Sequence, residues 1–215
     1  MLVKDRMSKH PLTISENESL SDTHQYMLDQ KVRHLPVLNK AGEMVGLVTE
    51  KDLLKAGPSS ATSLSVWEIH ELLMKVKVRQ VMIKDVITAT EDLPIEEAAH
   101  LMYEHKIGCL PVMRAGMLVG IITESDVFRT FMELFATRQK GLRITMTVPD
   151  REGELARVAQ AVTSQRGDIV ACGVFLAEDP TKAGLVIKVR NVQRDSLLPS
   201  LSSIEGVAVL DTREM

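Results

Sequence analysis

The sequence predicts an α+β protein: two copies of a β-α-β-β-α unit, followed by a smaller βαββαβ domain. Three observations predict it. A block of residues recurs at constant spacing, apolar periods switch between helix and strand inside each block, and the pattern changes at Gly141.

The repeat is read directly. Val3, Met7, Lys9, Thr13, Glu16, Met27, Lys31, Leu35, Pro36 and Val37 recur as Val78, Met82, Lys84, Thr88, Glu91, Met102, Lys106, Leu110, Pro111 and Val112. After a one-residue deletion, Gly46-Leu-Val-Thr49-Glu-Lys-Asp52 recurs as Gly120-Ile-Ile-Thr123-Glu-Ser-Asp126. Two copies are too few for a solenoid and predict a pair related by a pseudo-two-fold axis. Each copy opens on a short extended piece, Leu12–Ile14 or Val86–Thr88. A helix follows, with Ile95, Ala98, Ala99 and Met102 at helical spacing in the second copy. Two strands joined by a glycine turn come next, Leu35–Leu38 with Met44–Val48 and Leu110–Met113 with Met117–Ile122. A second helix opens at Thr49 or Thr123.

Between the copies, Gly57-Pro-Ser-Ser60 marks a loop, and Ser65-Val-Trp-Glu68 fits a capped helix running to Lys77. The second copy ends in Val127–Arg138, where Phe128, Phe131 and Phe135 share one face, as core or as a subunit contact. From Gly141, Leu142, Ile144, Met146 and Val148 alternate with polar residues, a half-buried strand. A turn at Pro149–Gly153, a helix carrying Leu155, Val158, Ala159 and Val162, strands Ile169–Phe175 and Leu185–Val189, a helix near Ser196–Ser203 and a strand Val207–Leu210 complete a ferredoxin-like order. The expected divisions are 1–62, a linker helix 63–77, 78–138 and 139–215.

Composition narrows the function. The 215 residues are 45% hydrophobic and 26% charged, ordinary for a globular chain with buried cores. With 26 basic against 29 acidic residues and a net charge of −3, the chain lacks the basic face of a nucleic-acid binder. No apolar run is long enough to span a membrane, and the start lacks signal-peptide architecture, so a cytoplasmic protein is expected. Cys109 and Cys172 fit no metal spacing and sit in apolar segments, which predicts buried free thiols. No Ser/His/Asp pattern, metal-spaced His/Cys cluster or phosphate loop appears, so no enzyme is expected.

The doubled Gly-x-x-Thr-x-x-Asp segment carries the functional argument. It follows a strand and opens a helix, where backbone N–H groups and the helix dipole suit a phosphate. The threonine hydroxyl adds a donor, and the aspartate can accept from two ribose hydroxyls. Thr-x-x-Asp is equally a capping box that serves its own helix. Its recurrence at equivalent places favours a binding site.

With Met-x-x-x-x-hydrophobic-Thr at 7–13 and 82–88, and with His34-Leu-Pro-Val and Cys109-Leu-Pro-Val, these segments resemble tandem CBS domains. These are the nucleotide-sensing modules named after cystathionine beta-synthase, also called a Bateman pair, and the resemblance covers about residues 3–135. It implies adenine against the extended piece and pre-proline strand of one repeat, with ribose and phosphate at the Thr/Asp segment of the other. One site would use Leu12, Val32, Arg33, His34 and Pro36 with Thr123, Ser125 and Asp126. The other would use Ile87, Ile107, Cys109 and Pro111 with Thr49, Lys51 and Asp52. Arg33 and His34 point to phosphorylated ligands (AMP, ADP or ATP) in the first site, unless they form a solvated basic edge. Cys109 points to a weaker site, an empty one, or one for a less anionic compound such as S-adenosylmethionine. The ligand is regulatory, with no cofactor and no metal.

Residues 142–213 resemble an ACT domain, an amino-acid-sensing module, through Asp150-x-x-Gly153-x-Leu155 and Gly167-Asp-Ile169. Gly153 would admit a carboxylate to the helix N-terminus, or Asp150 merely caps that helix. The whole order, with Ser63–His70 in the linker, resembles the acetoin-utilisation protein B family. That implies a regulator of a partner in acetoin or carbon metabolism, and the pseudo-symmetric repeats with their apolar helix faces are expected to form a homodimer. A scaffold without ligand, or a transcriptional regulator, is the alternative.

Overall fold

The computed structural model describes residues 1–56 and 73–215, in two compact units, Met1–Val127 and Phe128–Met215. The loop at Gly57–Ser60, the segment Ser63–His70 and most of the expected linker helix lie outside the described residues.

The first unit holds both repeats. Strands β1 (Ser8–Lys9) and β2 (Ile14–Ser15) precede helix α1 (Leu20–Gln30), hairpin β3 (His34–Leu38) with β4 (Met44–Thr49), and helix α2 (Glu50–Ala56). The second copy repeats the order with β5 (Ala89–Thr90), α3 (Ile95–His105), β6 (Cys109–Arg114), β7 (Met117–Thr123) and α4 (Glu124–Leu134). The extended pieces therefore pair slightly further along the chain than their sequence suggests, while α2 and α4 start directly after Thr49 and Thr123, where the sequence opens them. Local chemistry sets the first helix. Ser19 Oγ accepts from the Asp22 N–H at 3.0 Å, and Lys31 ends the helix in the left-handed region.

The two sheets interlock. In one, β2 runs parallel to β3, and β3 antiparallel to β4; in the other, β5 runs parallel to β6, and β6 antiparallel to β7. The N-terminal β1 does not join its own repeat but pairs with β7, Ser8 opposite Ile121. Reciprocally, Ile83 bridges to Leu47 on β4. The cores follow this exchange. Val3 and Met7 are buried with Ala98, Leu110 and Ile122 of the second copy, and Val78 with Leu20, Met27, Leu35 and Val48 of the first. A Cβ at Gly120 would overlap the Met7 thioether, and one at Gly46 would overlap Met82. The repeated methionine and the repeated glycine are thus one packing device.

The second unit contains β8 (Leu142–Pro149), α5 (Glu154–Ser164), β9 (Asp168–Leu176), β10 (Lys182–Arg190), α6 (Arg194–Ser202) and β11 (Ala208–Glu214). Its sheet, ordered β11-β8-β10-β9 and antiparallel throughout, is the ferredoxin-like arrangement. Val158, Val162, Leu197 and Leu201 of the helices pack on Ile144, Met146, Leu185 and Ile187. On the other face the Phe135 ring stacks where a Gly173 side chain would stand, and Lys188 Nζ donates to the Ala136 carbonyl at 3.0 Å. Phe135 is half-buried there, whereas Phe128 and Phe131 are 67% and 55% exposed. Cys172 corrects the expectation of two buried thiols: it is exposed on the edge strand β9, where no further strand covers it, while Cys109 is buried.

Candidate functional site

Each repeat brings the start of a strand against the start of its last helix. His34 lies opposite Thr49, and Cys109 opposite Thr123. The Glu50 N–H donates to the Arg33 carbonyl at 3.0 Å, and the Glu124 N–H to the Gly108 carbonyl at 3.1 Å. Both Thr/Asp pairs form capping boxes. Asp52 Oδ2 accepts from the Thr49 N–H at 3.0 Å and from its hydroxyl at 2.6 Å, and Asp126 Oδ2 accepts the same two at 3.0 and 2.8 Å. At Asp52 the cap engages one carboxylate oxygen, Oδ2, so capping and ligand binding do not exclude each other there.

A cavity of about 590 Å³ opens in the first unit, within the range of small-molecule sites. Thr49, Lys51, Asp52, Ile87, Ile107 and Cys109 line it, so the fold gathers the second predicted set except Pro111, which is buried on β6. The first set is not gathered there. Leu12, Val32, Pro36, Thr123, Ser125 and Asp126 lie outside this wall, and Asp126 is buried. Arg33 and His34 also line the Cys109 cavity, beside the helix start of their own repeat. The reason is the hairpin: the opposition of His34 and Thr49 keeps the start of β3 beside the helix start of its own repeat.

Gly108 makes room for this arrangement, since a Cβ there would lie 3.2 Å from His34 Nε2 and 3.5 Å from Glu124 Oε2. Burial, then the neighbouring Arg33 charge, holds the His34 imidazole below its ordinary pKa. Burial, with the Glu124 charge, pushes the Cys109 thiol up to about 12. Glu50, Lys55, Asp85 and Glu124 also line the cavity and were not singled out from sequence. Glu50 and Glu124 are the same repeated position inside the doubled motif, and that identity was the available signal.

In the second unit, Gly153 is the N-cap of α5, at φ +88°, and Asp150 is exposed. No side-chain cap is made there, so the reading of Asp150 as a cap does not hold. A Cβ on Gly153 would meet nothing, so the backbone angle, not crowding, requires glycine. Leu155 is exposed nearby, and Glu154 Oε1 accepts from Arg151 Nε at 2.7 Å and from an Arg157 guanidinium nitrogen at 2.9 Å.

Two interlocked repeats with a cavity at their strand and helix starts define a paired ligand-binding module. The CBS domain profile matches residues 3–59 and 78–133, and the chain belongs to the CBS domain family. An uncharacterised protein of Methanocaldococcus jannaschii is 35% identical, over 61% of this chain and 92% of that one. The L-aspartate semialdehyde sulfurtransferase of the same organism is 31% identical, but the match covers 60% of this chain and only 23% of the enzyme. Among solved structures, a putative acetoin utilization protein from Vibrio cholerae is similar, with 32% identity and a TM-score of 0.53, over 64% of this chain and 95% of that one. The CBS domain pair of protein MJ0100, solved with 5′-methylthioadenosine and S-adenosyl-L-methionine, is 29% identical, with a TM-score of 0.52, over 65% and 98%. CBSX2, solved with AMP, is 28% identical, with a TM-score of 0.53, over 62% and 97%. No helix among the described residues is long and apolar enough to cross a membrane.

Proposed function

We propose that this chain is a regulatory sensor that binds an adenosine compound in the Cys109 cavity and thereby controls a metabolic partner. The observation that carries the reading is the meeting, in one cavity, of the Thr49–Asp52 helix start with Ile87, Ile107 and Cys109. The aspartate offers the ribose an acceptor and the aliphatic side chains offer the base an apolar wall. Relatives solved with AMP, methylthioadenosine or S-adenosylmethionine support the ligand class. Thr123, Ser125 and Asp126, with Leu12, Val32 and Pro36, would serve a second, equivalent site. The second unit, ACT-like in strand order, would add an amino-acid site at Gly153 or a dimer contact. Phe128 and Phe131 favour a homodimer, which a monomeric mass in light scattering would contradict. The chain acts without catalysis, in the cytoplasm, on a partner such as one of acetoin metabolism; ATP destroyed on long incubation would refute the first of these.

Calorimetric titration of the full chain with AMP, ATP, S-adenosylmethionine and methylthioadenosine tests the reading. Asp52→Asn should weaken binding about tenfold, through loss of a charged acceptor worth roughly 1.5–3 kcal/mol. Unchanged binding in that variant removes Asp52 from the site. A second reading, a scaffold that binds nothing, is favoured by the inward turn of both aspartates onto their own threonines. It would stand if none of the four compounds bound.

A further inference from the structure

The charges around the cavity bear on which adenosine compound fits. Arg33, Lys51, Lys55 and Lys106 face Glu50, Asp52, Asp85 and Glu124, so the wall carries equal numbers of basic and acidic groups. They are not equally fixed. All four basic side chains are exposed, on long stems that turn to solvent at little cost, whereas Glu50 and Asp52 are half-buried. The Asp52 carboxylate is held by its two bonds from Thr49. Glu124, first residue of α4 and exposed like Asp85, brings a third carboxylate close to Gly108 and His34. Burial, then the Arg33 charge, disfavours the positively charged form of His34. The remaining wall is aliphatic: Leu47, Ile83, Val86, Ile87 and Ile107.

We propose that this cavity selects adenosine compounds whose 5′ substituent is uncharged or cationic over nucleotides that carry a phosphate chain. The proposal rests on the adenosine reading above. A phosphomonoester brings about −1.5 to −2 charges at neutral pH, and a triphosphate more, into a space whose least exposed charges, Glu50 and Asp52, are already carboxylates. A thioether or sulfonium substituent lies against the aliphatic wall at no such cost, and a sulfonium gains from the carboxylates.

The test is calorimetric titration of the full chain, with EDTA present, using methylthioadenosine, S-adenosylmethionine, AMP and ATP. The first two should bind at least about tenfold more tightly than AMP, and ATP more weakly still. Glu50→Gln and Glu124→Gln, made separately so that one misfolded variant does not end the test, should each narrow the ratio of methylthioadenosine to AMP affinity at least about threefold. AMP or ATP binding as tightly as methylthioadenosine would overturn the proposal while leaving an adenosine site in place. A preference for methylthioadenosine that neither glutamine variant narrows would overturn it as well, since the carboxylates would not be its source. Failure of all four compounds would remove the adenosine reading itself.

Discussion

Gly46→Ala tests the interlock between the repeats. The new Cβ would stand 2.8 Å from the Ile83 carbonyl oxygen and 2.8 Å from Met82 Sδ. The methionine can swing away. The carbonyl cannot, because it accepts the Leu47 N–H at 2.9 Å while the Ile83 N–H donates to the Leu47 carbonyl at 2.8 Å. Restoring an ordinary contact of about 3.5 Å pushes the 82–83 backbone off β4 and weakens both bonds, each worth about 0.5–1.5 kcal/mol. Overpacking of a closed site adds about 1–3 kcal/mol, and the stiffer unfolded chain returns about 0.4–1 kcal/mol. The net expected cost is about 1–5 kcal/mol, the upper end only if both bonds are lost. Gly120→Ala meets mainly the Met7 side chain, with the Ser8 carbonyl at 3.1 Å, and should cost less. Urea unfolding followed by circular dichroism reads both, as a lower midpoint at constant slope. Gly46→Ala as stable as the parent, or less harmful than Gly120→Ala, would refute the argument.

Further outcomes follow from burial and charge. Leu110→Ala, at a fully buried core position, should cost about 2–5 kcal/mol in the same urea assay, and Ile144→Val in the second unit about 0.5–1.5 kcal/mol. Because His34 has a pKa below its ordinary 6.5 in the folded chain, its contribution is whole above that value and is lost as pH falls below it; His34→Gln should flatten stability against pH there. Arg151, then Arg157, holds the Glu154 carboxyl below its ordinary 4.5, so that pairing stabilises above the carboxylate range and is lost on acidification. Glu154→Gln should lower Tm at pH 7 and leave it little changed in strong acid. Iodoacetamide should alkylate Cys172 first and Cys109 only on unfolding, because Cys109 is buried with its pKa near about 12; equal rates in peptide mass spectra would contradict the packing.

Much of this architecture was legible because it rests on periodicity. The strand Leu142–Pro149 alternates buried and half-buried residues as its sequence does, and Ile95, Ala98 and Met102 are buried along one face of α3. The exchange of β1 was not legible, because a two-residue strand has no period to read and its partner lies far along the chain. That Arg33 also lines the Cys109 cavity was not read, for a related reason. Which helix start a residue faces is set by hairpin register, and the motif alone does not state it. Cys172 lies in an apolar run that reads as interior, yet β9 is an edge strand, and edge position is a property of the sheet, not of the segment.

The exchange also governs how the pair comes together. Residues 8–9 have no partner until β7 is synthesised, and until β1 docks β7 has an open edge beside the gap left by Val3 and Met7. A second chain can fill that edge and gap with its own N-terminal segment. At high concentration, refolding therefore has a route to entangled dimers made from contacts that a single native chain already makes within itself.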